Sequence, residues 1–271
     1  MSAPALVRAA PLAHLRWDAP GPPVVLLHGV GGGRESWGDA ISRTGRGVAA
    51  AGFTAIAVDL PGYGDSPRID PYDMAGLARA VRDLIDWLGA GTAALVGHSM
   101  GGMVALEMMA HAPQGVAALV LMGTTPAFGR PDGEWQRQFL AQRLAPLDAG
   151  KGMSSLAPGL VQGMASRRAP HDAVARGAVL MSAVPEATYR LALAAIAGFD
   201  RRKLLPQLRL PVLCLAGADD RNAPPSVMEK MASRIGSAEY RVLPGVGHLA
   251  HMEAPRAVNP VLVGFLQRHV H

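Results

Sequence analysis

The chain has one cysteine, Cys214, among its 271 residues, so no internal disulfide can form. It sits in the apolar run "PVLCLAG" and reads as an inert core thiol rather than a reactive one. No run of about 18 apolar residues occurs, so no membrane span is expected. The first 20 residues lack a basic start followed by a continuous apolar block. A secretory signal is therefore not expected, and the sequence reads as cytoplasmic. There is no internal repeat and no low-complexity tract. Neither the G-x-x-x-x-G-K-[ST] nor the G-x-G-x-x-G fingerprint is present, so the Gly-rich "HGVGGGRESW" (28–37) is not read as a phosphate cradle. His251, His269 and His271 show no ligand spacing. No metal and no cofactor are expected.

The charge also excludes more than it suggests. The net charge is +5, but residues 126–203 carry 11 Lys and Arg against 6 Asp and Glu, while the rest holds 15 of each. The excess is local, and that segment has no dense basic run with interleaved aromatics, so a nucleic-acid groove is a poor reading. A solvated helical surface and a mildly electropositive insert over a site that favours an anionic ligand both fit. A small-molecule substrate is the expected partner, and a homo-oligomer is left open.

What is present is an alternation. The runs 23–29, 54–62, 93–99, 117–123 and 211–217 are apolar without polar alternation, as in strands buried on both faces. Helix-length stretches separate them. In 72–89, Leu77, Val81, Leu84, Ile85 and Leu88 recur at three- and four-residue steps, and Gly89 supplies a stop. Strand–helix–strand alternation implies a mostly parallel sheet with helices on both faces. From 124 to 205 the rhythm breaks into a helical stretch cut by Pro126, Pro131, Pro146, Pro158, Pro170 and Pro185. The expected division is a core of 1–123 and 206–271 with a helical insertion at 124–205.

Within "ALVGHSMGGMVALEMMAHAP" (93–112), Ser99 stands between Gly97 and Gly101, where a strand turns into a helix. Such a turn strains the backbone and holds the serine oxygen at the C-terminal edge of the sheet, with a helix N-terminus below it. Alone the pattern also suits a tight packing turn. A serine nucleophile needs a base, and the base an orienting carboxylate. Asp219 and Asp220 follow the strand at 212–216, and His248 follows the run 240–243. A helix at about 225–235 and a strand at about 239–243 fit between them, which puts all three groups on one sheet edge. Oxyanion stabilisation needs two preorganised donors. Met100 N–H, at the start of the helix after Ser99, is one; Val30 N–H, in the Gly-rich loop, is the other.

His28-Gly29, "DLPGYGDS" (59–66), "GHSMGG" (97–102), "GADDRNAP" (217–224) and "GHLAHMEAP" (247–255) occur in this order over almost the whole chain. Together they resemble the α/β-hydrolase fold superfamily. The resemblance implies an α/β fold with a helical cap over the site. It favours Asp220 over Asp219, because the family's acid usually lies three residues after the glycine closing its strand; "GTTPAF" (123–128), where a minority carry it, has no acid. His28 and His98 read as packing residues, and Glu253 as a helix N-terminal charge. Gly29, Trp37, Arg130 and Trp135 are the candidates for contact with substrate; Trp37 could instead pack beneath the oxyanion loop. Arg137, Arg167 and Arg168 are further cap candidates. Serine in place of aspartate argues against dehalogenase and epoxide hydrolase chemistry. The resemblance implies a serine hydrolase of a small carboxylic ester or lactone, nearest in look to enol-lactone hydrolases, with an anionic substrate suited to the basic cap. Carbon–carbon bond hydrolases of ring-cleavage products, cofactor-free perhydrolases and non-catalytic ligand receptors share the outline.

Overall fold

A computed structural model describes residues 4–38, 47–129 and 133–271. Its strands are β1 (Ala5–Val7), β2 (His14–Trp17), β3 (Gly21–Leu27), β4 (Phe53–Val58), β5 (Ala93–His98), β6 (Val116–Met122), β7 (Val212–Gly217) and β8 (Ala238–Leu243). They form one sheet in the order β1-β2-β4-β3-β5-β6-β7-β8. β3 to β8 run parallel, and β1 and β2 are antiparallel at one edge. The parallel strands lie where the apolar runs put them. β1 and β2 were not foreseen: they are three and four residues long, and β2, "HLRW", shows no apolar run.

Alternate strand residues feed two cores, the two-residue period that lets a continuous apolar run serve both faces. Val25, Leu27, Ile56, Leu95 and Leu121 pack on one side with Leu77, Val81 and Val104. These come from the helices α1 (Met74–Leu88) and α2 (Met100–His111). Val24, Leu26, Ala57, Val96 and Met122 pack on the other side with Val258, Leu262 and Phe265. α1 starts at Asp73, whose carboxylate accepts from Gly76 N–H, and ends at Gly89 with φ +63°.

Between β6 and β7 lie α3 (Glu134–Asp148), α4 (Met153–Met164), α5 (His171–Ser182) and α6 (Glu186–Ala197). The two ends of this insertion pair with each other: Phe128 N–H donates to Phe199 O (3.0 Å) and Arg201 N–H to Pro126 O (2.7 Å). α7 (Pro225–Ala232) separates β7 from β8, and α8 (Ala250–Glu253) and α9 (Pro255–His269) complete the chain. Among the described residues no single helix is long and apolar enough to cross a membrane.

Candidate active site

The site lies at the C-terminal ends of β3, β5, β6 and β7, where a parallel sheet leaves loops free to carry chemistry. Ser99 follows β5 with φ +51° and ψ −118°, and among the described residues it alone combines a side chain with positive φ. Backbone packing imposes this geometry. A Cβ on Gly97 would lie 2.6 Å from Gly102 Cα, and one on Gly101 would collide with the Leu27 carbonyl of β3. The two glycines therefore answer to different neighbours: one to the helix below, the other to the next strand. Thr124 O–H donates to Ser99 O (2.7 Å) and ties the elbow to the loop after β6.

The loops after β7 and β8 bring Asp220 and His248 to Ser99. His248 Nδ1–H donates to Asp220 Oδ2 (2.8 Å), which leaves Nε2 to accept from Ser99 O–H (3.1 Å). His248 and Asp220 are buried, at 4% and 3% exposure, while Ser99 stays half-buried and open to the cavity. Asp220 Oδ1 also accepts the Asn222 and Ala223 N–H groups (2.8 and 2.9 Å). The carboxylate is thus fixed at both oxygens, one facing the imidazole. Asp219 is exposed and makes no such contact.

Val30 lies in the loop after β3, and Met100 follows Ser99 at the start of α2. Gly29 C=O accepts from His28 Nδ1–H (2.7 Å) and Gly32 N–H (2.9 Å). A trans peptide puts its N–H on the edge opposite its C=O, so Val30 N–H is turned away from His28. His28 Nε2 accepts Leu60 N–H (3.0 Å) and Tyr63 O–H donates to Val30 O (3.0 Å), which clamps the loop further. Met100 N–H, in the first turn of α2, has no intrahelical acceptor. His28 thus has a definite part, holding the Gly29–Val30 peptide.

His98 is also more than filling. Its Nε2–H donates to His248 O (2.8 Å), and its ring lies between those of His248 (4.9 Å) and His251 (4.5 Å). Burial, then the neighbouring His251 and His248, pushes the His98 pKa well down. Burial likewise brings His251 down to about 3. Both rings are neutral at pH 7. Glu253 is the acidic residue in the first turn of the four-residue α8, and it also reaches beyond that helix. Its buried carboxylate accepts Ser166 N–H (3.0 Å) from the insertion and Leu249 N–H (3.1 Å) from the His248 loop. His248 N–H donates to Met164 O (2.9 Å) beside it. The spacing to His248 alone does not reveal this bridge, because its second partner is 87 residues away.

A cavity of about 920 Å³ opens over Ser99, walled by the insertion and the β7–α7 loop. Gly29, Val30 and Trp135 line it. Trp37 is a correction: it is fully buried in the hydrophobic core and absent from the wall, with its ring against His251 (4.4 Å). Arg130 lies outside the described residues. Much of the insertion's positive charge is paired: Arg137 with Glu134, Arg176 with Asp172, Arg190 with Asp148 and Glu186, Arg201 with Glu107, and Arg202 with Asp200. Arg167 and Arg168 do not line the cavity. Arg143 does, and it was missed. Trp135, Phe139 and Arg143 recur every four residues and share one face of α3, a period that was readable. Among the described residues no carboxylate lines the cavity, although Arg143, Arg202, Arg221, Lys230 and Arg234 do. Among the described residues no group of three or more His, Cys, Asp or Glu could hold a metal ion.

The sequence matches the alpha/beta hydrolase fold family over residues 22–255. It is 33% identical over 269 residues to a dihydrolipoyllysine-residue acetyltransferase component of the acetoin cleaving system of Pseudomonas putida, covering 94% of this chain and 67% of that protein. It is 29% identical over 266 residues to the 2-hydroxy-6-oxo-6-phenylhexa-2,4-dienoate hydrolase of Burkholderia cepacia, covering 93% of this chain and 90% of that one. A malate-bound thermophilic esterase from Thermogutta terrifontis shares the fold with a TM-score of 0.82 at 27% identity, over 98% of this chain and 99% of that one. With the family spanning sheet, elbow and insertion alike, the chain belongs to the alpha/beta hydrolase fold family.

Proposed function

We propose that this protein is a serine hydrolase that cleaves a carboxylic ester or lactone of a small substrate through an acyl-enzyme. The observation that carries the reading is the continuous relay from Ser99 Oγ through the His248 ring to the doubly anchored Asp220 carboxylate. His248 Nε2 takes the Ser99 proton as Oγ attacks the carbonyl carbon. The Val30 and Met100 N–H groups hold the oxygen that becomes negative. His248 then gives the proton to the leaving alkoxide, and in a lactone this oxygen stays attached to the acyl group. Water, activated by the same ring, releases the acid and returns the proton to Ser99. Asp220 keeps Nδ1 protonated and offsets the imidazolium charge. A cavity of about 920 Å³ suits a small-molecule partner.

The test is hydrolysis of short- and medium-chain 4-nitrophenyl esters by wild type and Ser99→Ala, with labelling by a serine-directed phosphonate. Activity and labelling that both vanish in the variant support the reading. Absence of both in wild type rejects it and favours a ligand-binding role on the same fold. Likeness to the Burkholderia hydrolase supports a second reading, carbon–carbon bond cleavage. Faster turnover of a vinylogous 1,5-diketone than of any ester would favour it.

A further inference from the structure

Among the insertion's described arginines, Arg143 alone lines the cavity without an acidic partner, since Arg202 is held by Asp200. It is half-buried in the cavity wall, yet among the described residues its guanidinium has neither an acidic partner nor a hydrogen-bond acceptor. Its one structured contact is with the Phe139 ring, whose centroid lies 4.0 Å from Cζ. Phe139 belongs to an aromatic cluster with Phe128 (4.7 Å) and Trp135 (5.7 Å), so the platform under the cation is fixed. Stacking of this kind holds a guanidinium flat and leaves its N–H edge free. Half-buried and without a counter-charge, the guanidinium can meet an acceptor that enters the cavity. The cavity that Arg143 lines is the one that opens over Ser99.

We propose that Arg143 receives a carboxylate of the substrate, so that the hydrolysed ester or lactone carries an acid group. The inference rests on the serine hydrolase reading and narrows its substrate class. The same cavity is also lined by Phe139, Leu193 and Ile196, so the rest of the ligand can be apolar. The fork geometry of arginine matches both carboxylate oxygens.

The experiment compares 4-nitrophenyl hemisuccinate, hemiglutarate and hemiadipate with neutral 4-nitrophenyl alkanoates of equal chain length. Wild type, Arg143→Gln, Arg143→Lys and Ser99→Ala are assayed, and glutarate binding to the first two is measured by calorimetry. Arg143→Gln is expected to lower kcat/KM for the acidic esters by about 30-fold or more while the neutral esters change less than about threefold. Arg143→Lys keeps the charge but loses the fork, and falls in between. Glutarate binding should be lost with the arginine. Equal losses on acidic and neutral esters would mean a structural arginine and overturn the proposal. So would glutarate binding indifferent to Arg143→Gln, a readout that needs no turnover. Turnover surviving in Ser99→Ala would instead refute the hydrolase reading itself.

Discussion

His251 should make this protein sensitive to acid, and replacing it by phenylalanine should relieve part of that sensitivity. The ring is 1% exposed, stacked between Trp37 and His98, and both its nitrogens lack a partner among the described residues. Burial, the largest cause, holds its folded pKa at about 3, against about 6.5 for an exposed histidine. The unfolded chain then binds a proton that the native state refuses. This stabilisation is complete above about pH 6.5 and falls by about 1.4 kcal/mol per pH unit below it, until the pH nears the folded pKa. At about pH 5 the loss from this ring alone is about 2 kcal/mol, large against a total of about 5–15 kcal/mol. His14, His28 and His98 are depressed in the same direction by burial and add to it. His251→Phe keeps the stack and removes both the proton site and two unpaired nitrogens. It should match or exceed wild type by up to about 1 kcal/mol at neutral pH. Its stability should fall less steeply on acidification, by up to about 1.4 kcal/mol per pH unit. Urea midpoints between about pH 7.5 and 5 measure both, provided m is constant. An unchanged pH slope would refute the reasoning, because the ring would then titrate normally in the folded state. So would a loss above about 2 kcal/mol at neutral pH, which would reveal a hydrogen bond to the ring.

Asp220→Asn leaves the loop shape but offers His248 a donor as readily as an acceptor; kcat should fall by about three to four orders of magnitude with thermal stability nearly intact. Circular dichroism melts beside steady-state rates separate the two, and a loss of only a few-fold would remove Asp220 from the relay. Glu253→Gln can keep one of its two N–H bonds at best. It should cost about 1–3 kcal/mol and lower Tm by roughly 2–4 °C per kcal/mol, with kcat reduced because Leu249 adjoins His248. Differential scanning calorimetry and ester turnover check this together. A variant as stable and active as wild type would mean that the bridge carries no load.

Ser99, Asp220 and His248 were legible because each sits where a strand ends, and strand ends announce themselves through glycine and a change of period. Gly97, Gly217 and Gly247 mark three such ends. The parallel strands were legible for a related reason: burial on both faces removes polar residues from the run. What stayed hidden had no local signature. β1 and β2 are too short to show a period, and their pairing is set by the open edge of β4. Trp37 read equally well as wall or foundation, since its place depends on His251, 214 residues further on. Arg143 was masked by its neighbours: a segment with an excess of five positive charges does not say which of its arginines is without a carboxylate, and the answer comes only from the packing of four helices.

The pairing of residues 126–128 with 199–201 closes the insertion on itself, so the sheet registers only a junction whatever lies beyond it. Loop length costs little once the ends are fastened, growing only with its logarithm. A lineage could therefore exchange the whole lid, and with it the choice of substrate, without redesigning the catalytic floor. The exchange has one further requirement. Met164 O and Ser166 N–H form a second seam against the His248 loop and Glu253, so any replacement lid must carry an acceptor and a donor to that place. The fold is modular in the manner of a hinged cover with a latch: the hinge is generic, and the latch is keyed to the histidine.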